Sequence, residues 1–141
     1  MLTTKELISL DNHSSSKDEI ITQLVELAYK QKKISDLAGF TEAIYRREAE
    51  FSTALGMSIA MPHGQSDTVR EPFVIFARTE EPIQWDQNQV QLIFMIGVPL
   101  ANRSDTHMKI IASLSKKLLD ESFRQSLLES GIDDALRLMQ L

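Results

Sequence analysis

Val90-Gln91-Leu92-Ile93-Phe94-Met95-Ile96-Gly97-Val98 is the stretch on which the fold turns, because Leu92–Ile96 is unbroken apolar sequence with no alternation. A strand with one wet face alternates apolar and polar residues, whereas a strand covered on both faces does not. The reading is a central strand over 90–98 with helices on either side. Phe73–Arg78 predicts a second strand, and Met57, Ile59 and Met61, alternating with Ser58 and Ala60, predict a third. Pro62 ends that third ladder because it has no N–H to donate, which places His63-Gly64 in the turn leaving the strand.

Upstream of the strands the sequence is helical. After a short apolar stretch at Leu7–Leu10, Ser16-Lys17-Asp18-Glu19 has the Ser-x-x-Glu form of a capping box and opens a helix expected to end near Lys33. Ile20, Leu24, Leu27 and Ala28 recur on one face of it, and Lys30, Lys32 and Lys33 fall at the negative end of its dipole. A second helix is expected from about Asp36 to Glu50, with Leu37, Phe40 and Ile44 facing the core. Downstream, helices are expected from Ser104 to about Leu119, through Phe123–Leu128, and through Ile132–Leu141 after Gly131. The order of helices, strands and helices predicts an α/β protein: a mixed β-sheet flanked by helices on both faces, one domain over residues 1–141.

Composition narrows the chemistry. The 141 residues are 43% apolar and 25% charged, enough to bury a real core. A formal net charge of −5 argues against a nucleic-acid surface. No stretch approaches the roughly 20 consecutive apolar residues of a membrane helix, and Met1-Leu2-Thr3-Thr4-Lys5 lacks a signal-peptide core, so a cytoplasmic protein is expected. Cysteine is absent, which removes disulfides, thiolate metal sites and cysteine catalysis.

Three polar residues stand out from this layout. On the helix after Ser104, the apolar stripe is Ile110, Ile111, Leu114 and Leu118, and His107 projects onto its middle. It reads either as a core imidazole bonded to a carbonyl or as a group beside an anion at the helix's first turn. Arg47 continues the Phe40–Ile44 stripe while Arg46 points elsewhere. Arg47 either lies over the core edge with its head in water or aims its planar fork at an oxyanion. Glu48 either orients Arg47 or is solvated. His63, after the rigid Pro62 at a strand end, occupies a place where sites of α/β sheets collect. His13, in the polar connector Asn12–Ser16, has no comparable setting.

Taken in order, Arg47-Glu48, Ser52-Thr53, Ser58-Ile59-Ala60-Met61-Pro62-His63-Gly64, Pro82-Ile83-Gln84-Trp85 and Thr106-His107 resemble the fructose/mannitol class of enzyme IIA domains of the sugar phosphotransferase system, over essentially the whole chain. The resemblance implies a histidine of the Pro-His-Gly element, here His63, that is phosphorylated reversibly. It implies a phosphorylated histidine-containing carrier protein as donor and a cysteine of enzyme IIB, which serves a membrane IIC transporter, as acceptor. With no cysteine in this chain, that IIB is expected on a separate polypeptide. Arg47 and His107 are expected to complete the phosphoryl site, with Thr53, Glu48 and Gly64 in support; Thr53 either contacts the phosphoryl group or holds the loop. Gln65 and Ala54-Leu55-Gly56 depart from the usual pattern without touching the three main residues.

The chemistry fits the residue types. A neutral imidazole near its ordinary pKa of about 6.5 offers a ring lone pair, so it attacks phosphorus without a general base. The transferring group then needs positive charge and hydrogen-bond donors around its equatorial oxygens, and the sequence calls for no cofactor and no metal. Two rival readings remain: a regulatory protein of the nitrogen branch of the same system, acting by phosphorylation-dependent protein binding, and a metal hydrolase using His13, His63 and His107. The second lacks short ligand spacing between its histidines.

Overall fold

The computed structural model describes residues 1–101 and 104–140, the side chains at 104–106 excepted. Six strands form one mixed sheet: β1 (Ile8–Asn12), β2 (Ala54–Gly56), β3 (Ile59–Ala60), β4 (His63–Ser66), β5 (Phe73–Trp85) and β6 (Asn88–Pro99). Among the described residues five α-helices cover it: α1 (Lys17–Lys30), α2 (Leu37–Glu50), α3 (Ser104–Leu118), α4 (Glu121–Glu129) and α5 (Ile132–Leu138). The strand order is β1-β5-β6-β3-β2, with β4 also paired to β6. β5 and β6 are antiparallel, while β1 runs parallel to β5 and both β3 and β4 run parallel to β6.

The unbroken apolar run of β6 has the physical cause expected of it. Ile93 and Met95 join Phe73, Ile75 and Ala77 of β5 in a core against α1 and α2, built on Ile20, Leu24, Ala28, Phe40 and Ile44. Leu92, Phe94, Ile96 and Val98 join Val74 and Phe76 in a second core against α3, α4 and α5. Phe76 and Phe94 stack at 5.2 Å in that second core. Neighbouring residues point to opposite faces and both faces are dry, so the sheet is a two-sided layer flanked by helices on both faces.

The helix ends follow local chemistry. Ser16 Oγ accepts from Glu19 N–H at 3.1 Å, and Asp36 caps α2 through Gly39 N–H at 3.1 Å. The Glu19 carboxylate reaches back to Ser15 and not to the cap residue itself, so half of the expected capping box is displaced by one position. α1 stops at Lys30, three residues before the expected end, because Lys32 turns left-handed (φ 61°). The N–H groups of Lys32 and Lys33 close back on the carbonyls of Tyr29 and Ala28, a Schellman stop built without glycine. Leu37, expected in the core, is 37% exposed on the first turn of α2. α4 begins at Glu121, two residues earlier than expected, under the Asp120 cap. α5 ends at Leu138, and Leu141, the expected end, lies outside the described residues.

The strand expected over Met57–Met61 is instead a tight hairpin. Ala54–Gly56 and Ile59–Ala60 pair across a two-residue turn, Met57-Ser58, with φ 55° and 64°. Two consecutive positive φ values match the twist of a short hairpin. Met57 therefore points to solvent (48% exposed), whereas Ile59, Ala60 and Met61 are all buried, so their apparent alternation was not a one-sided strand. β1 carries no periodic signal in its five residues, and it is stabilised as a strand by parallel pairing to β5. β5 continues past Arg78 to Trp85 across an irregularity in its register with β6. The Gln91 side chain fills part of that gap by donating to Thr79 O at 3.0 Å.

A histidine, an arginine and a second histidine at the sheet edge

His63 is the first residue of β4, not a turn residue as expected from Pro62. Pro62 lacks a donor, yet its carbonyl accepts from Ile96 N–H at 3.0 Å, so pairing along β6 continues straight through it. The consequence is a half-buried His63, fixed in the ladder opposite Ile96. Its ring Nδ1 lies 2.8 Å from Met61 O. A carbonyl only accepts, so Nδ1 carries the proton and Nε2 keeps its lone pair.

Arg47 reaches that lone pair from the last turn of α2. Its Nε donates to His63 Nε2 at 3.1 Å, and its Nη1 donates to Phe51 O at 2.8 Å. The guanidinium also lies over the Phe51 ring, 4.3 Å from its centroid. The stripe through Phe40 and Ile44 thus ends at the sheet edge with a cation turned inward, as the wheel position implied. From the opposite face of the sheet, His107 in the first turn of α3 sets its ring edge-on to His63, with centroids 4.7 Å apart. Ile110, Leu114 and Leu118 of the same stripe are buried, and His107 stands half-buried at its outer end.

The three side chains line one cavity of about 320 Å³, open to solvent, with Arg46, Glu50 and Gln65 around it. Arg46, expected to point elsewhere, pairs its guanidinium with Glu42 while its residue still borders the opening. Gly64 forms part of the floor, and a Cβ there would sit 3.2 Å from the Ala43 methyl group. The missing side chain lets α2 pack close on β4, which brings Arg47 within reach of His63.

Burial holds the His63 pKa below its ordinary value; the bond to Met61 O opposes this and the Arg47 charge adds to it. His107 is lowered too, by burial first and then by His63 and Arg47. Both rings are therefore neutral at neutral pH, and Nε2 of His63 is a nucleophile without prior deprotonation.

Glu48 is not solvated, and the partners of its carboxylate do not include Arg47. Its carboxylate is buried and takes hydrogen bonds from Thr53 Oγ1, Trp85 Nε1 (3.3 Å) and Lys17 Nζ (2.9 Å). Of the two readings of Thr53, the geometry is that of a hydroxyl holding the loop. His13 sits apart in an exposed pair with Glu80, at 2.5 Å. Among the described residues no group of three His, Asp or Glu is arranged to hold a metal. Sequence reasoning missed Phe51, whose ring and carbonyl fix Arg47, and the Met61 carbonyl, which fixes the tautomer. A helix-ending aromatic and a main-chain oxygen leave no pattern in a sequence.

The arrangement is thus a mixed two-sided sheet with a histidine, an arginine and a second histidine converging at its edge. The chain belongs to the family described as phosphoenolpyruvate-dependent sugar phosphotransferase system, EIIA 2, whose model matches residues 1–140. It is 37% identical over 132 residues to a PTS system fructose-specific EIIA component of Haloferax volcanii, covering 92% of this chain and 85% of that protein. It spans only 15% to 22% of the length of several longer relatives. The crystal structure of a nitrogen regulatory protein IIA-Ntr from Neisseria meningitidis superposes with a TM-score of 0.89 at 29% identity, covering 97% of this chain and 95% of that one. The enzyme IIAMTL structure in the Escherichia coli complex with phosphorylated IIBMTL superposes with a TM-score of 0.82 at 26% identity, covering 96% and 95%. Among the described residues no helix is long and apolar enough to cross a membrane.

Proposed function

We propose that His63 Nε2 accepts a phosphoryl group from a phosphorylated histidine-containing carrier protein and passes it to a cysteine of a separate enzyme IIB, in the cytoplasm, in support of sugar uptake through a membrane IIC. The observation that carries this reading is the pair of contacts on one ring: Nδ1 donates to Met61 O and Nε2 faces Arg47. In the forward step the Nε2 lone pair forms a bond to phosphorus as the donor's phosphorus–nitrogen bond breaks, and the donor imidazole leaves with the electron pair. In the onward step a cysteine thiolate of IIB displaces Nε2 in the same way. No proton need move at His63 in either step, because Nδ1 stays bonded to the carbonyl.

Arg47 gives up its bond to Nε2 when phosphorus arrives, and its fork then meets the phosphoryl oxygens. His107 presents its ring from the other side, at the positive end of α3. The exposed Phe51 ring (68% exposed), which lies against the Arg47 guanidinium, supplies apolar surface beside the site for a partner that docks briefly. The IIA–IIB complex known for the mannitol relative supports the acceptor. A second reading, a nitrogen-branch regulator binding proteins according to its phosphorylation state, draws support from the high structural likeness to IIA-Ntr. Phosphate passing onward to a IIB cysteine and then to a sugar favours transport; stable partner binding without a sugar product favours regulation.

The deciding experiment is labelling from phosphoenolpyruvate with enzyme I and the carrier. His63→Ala is expected to take up no label while keeping its circular dichroism spectrum. Full labelling of that folded variant would end the proposal.

A further inference from the structure

We infer that Glu48 and Thr53 form a buried clip that positions both Arg47 and the tautomer of His63, and that Glu48 is a positioning residue, not a ligand of the phosphoryl group. Its consequence for transfer rate rests on the reading of His63 as phosphoryl acceptor; its consequence for the imidazole does not.

After α2 ends, residues 51–53 run along the site before entering β2, and two of their carbonyls fix it. Phe51 O accepts from Arg47 Nη1 at 2.8 Å. Thr53 O accepts from Met61 N–H at 3.0 Å, and Met61 O then receives the proton on His63 Nδ1 at 2.8 Å. One three-residue segment thus sets the direction of the guanidinium and the choice of ring nitrogen.

The segment is itself held from beneath. Thr53, 3% exposed, donates its hydroxyl to one oxygen of Glu48. The other oxygen takes Trp85 Nε1 at 3.3 Å and Lys17 Nζ at 2.9 Å, and Lys17 also bridges to Asp86 at the tip of the β5–β6 hairpin. The start of α1, the end of α2, the 51–53 segment and the hairpin tip therefore meet at one carboxylate. A paired buried carboxylate adds little net stability compared with an apolar group of the same shape, but it demands a single geometry. Arg47 and Glu48 are adjacent on α2 and so diverge by about 100°. One side chain enters the cavity while the other fixes the segment that aims it.

The test uses Thr53→Val, which keeps the shape and removes the hydroxyl, with Thr53→Ser as the conservative control. Nitrogen-15 chemical shifts of His63 in the unphosphorylated protein read the tautomer, and rapid-quench labelling by the phosphorylated carrier reads the rate. Thr53→Val is expected to turn a single Nδ1–H tautomer into a mixture and to slow labelling roughly tenfold to a hundredfold, with Thr53→Ser restoring both. If Thr53→Val does not fold, Glu48→Gln, which keeps the shape of the acceptor, is read in the same way with the same expectation. A folded variant that keeps the single tautomer, whether or not its melting temperature falls, overturns the inference. The tautomer measurement needs no donor, so the clip can stand even if labelling of His63→Ala disproves the phosphoryl reading.

Discussion

Arg47 and His107 approach the same imidazole from opposite faces of one sheet, and they are held in different ways. Arg47 is tied at three points: Nε to His63, Nη1 to Phe51 O, and its guanidinium plane to the Phe51 ring. The contact recorded for His107 is the edge of its ring on His63, at the outer end of an otherwise buried stripe. In sequence the two were the same kind of signal, a polar residue on an apolar helix face. In space one is an aimed cation and the other a ring set edge-on to the same imidazole. On the proposed function, an anchored group loses little entropy when the phosphoryl oxygens appear, so the α2 side should carry more of the transition-state stabilisation than the α3 side.

That difference can be broken most directly by removing each group in turn. Arg47→Ala is expected to slow phosphoryl uptake by about 10²–10³-fold. Arg47→Lys should fall between it and the unaltered protein, with charge kept and the fork lost. His107→Ala is expected to cost roughly tenfold, mostly in onward transfer, the effect of losing one hydrogen-bonding partner. Single-turnover labelling and discharge to IIB give the two rates; equal losses for Arg47→Ala and His107→Ala would erase the distinction. Should His107→Ala chiefly lower the melting temperature, His107 belongs to the core and not to the site.

A pH series sharpens the comparison through charge. His63 and His107 both titrate below the ordinary histidine value in the folded chain. Above pH about 6.5 they are neutral whether folded or unfolded and shift stability little. As pH falls below that value the unfolded chain binds protons first, so folding weakens until the pH passes below the lowered native values. Phosphoryl acceptance should hold steady until the pH reaches the lowered His63 value and then decline. Because Arg47 helps to lower both histidines, Arg47→Ala should raise both titrations toward their ordinary range, readable by NMR. A His63 titration unmoved by that substitution would mean that the guanidinium contact is not made in solution.

The smallest expected effect lies in the packing that brings α2 to the edge. Gly64→Ala places a methyl 3.2 Å from the Ala43 Cβ and 3.4 Å from Ile44 Cδ1, which asks the helix to give by a few tenths of an ångström. It should cost on the order of 1 kcal/mol in denaturant unfolding, with a modest loss in transfer rate as Arg47 moves away. An unchanged rate would show that Arg47 follows Phe51 and not the helix.

What the chain declares locally was legible. Five residues of β6, Leu92–Ile96, with no alternation stated that the sheet is covered twice, and the two buried clusters on its faces supply the reason. The caps at Ser16 and Asp36 were written in side chains that bond within three residues. Pro-His-Gly marked His63, and the helical period put Arg47 and His107 on inward faces. The errors fell where a partner strand decides. β1 and the Ala54–Ala60 hairpin are too short for a period of two to show, and they exist as strands because β5 and β6 offer free backbone groups beside them. Pro62 predicts a turn at His63 because proline breaks a ladder as donor, while in the fold its carbonyl keeps the ladder going as acceptor.

By itself, then, the sequence determined the two-sided sheet, the class of chemistry available without cysteine, and the identity of the three residues with reason to meet. Only the tertiary structure decided that Glu48 turns away from the site, that Phe51 steers Arg47, and that His63 keeps its proton on Nδ1. Those outcomes depend on main-chain carbonyls and on contacts between residues far apart in the chain, Lys17 with Glu48 and Trp85 with Glu48 among them. Main-chain atoms are the same at every position, so what distinguishes one carbonyl from another is where the fold has placed it.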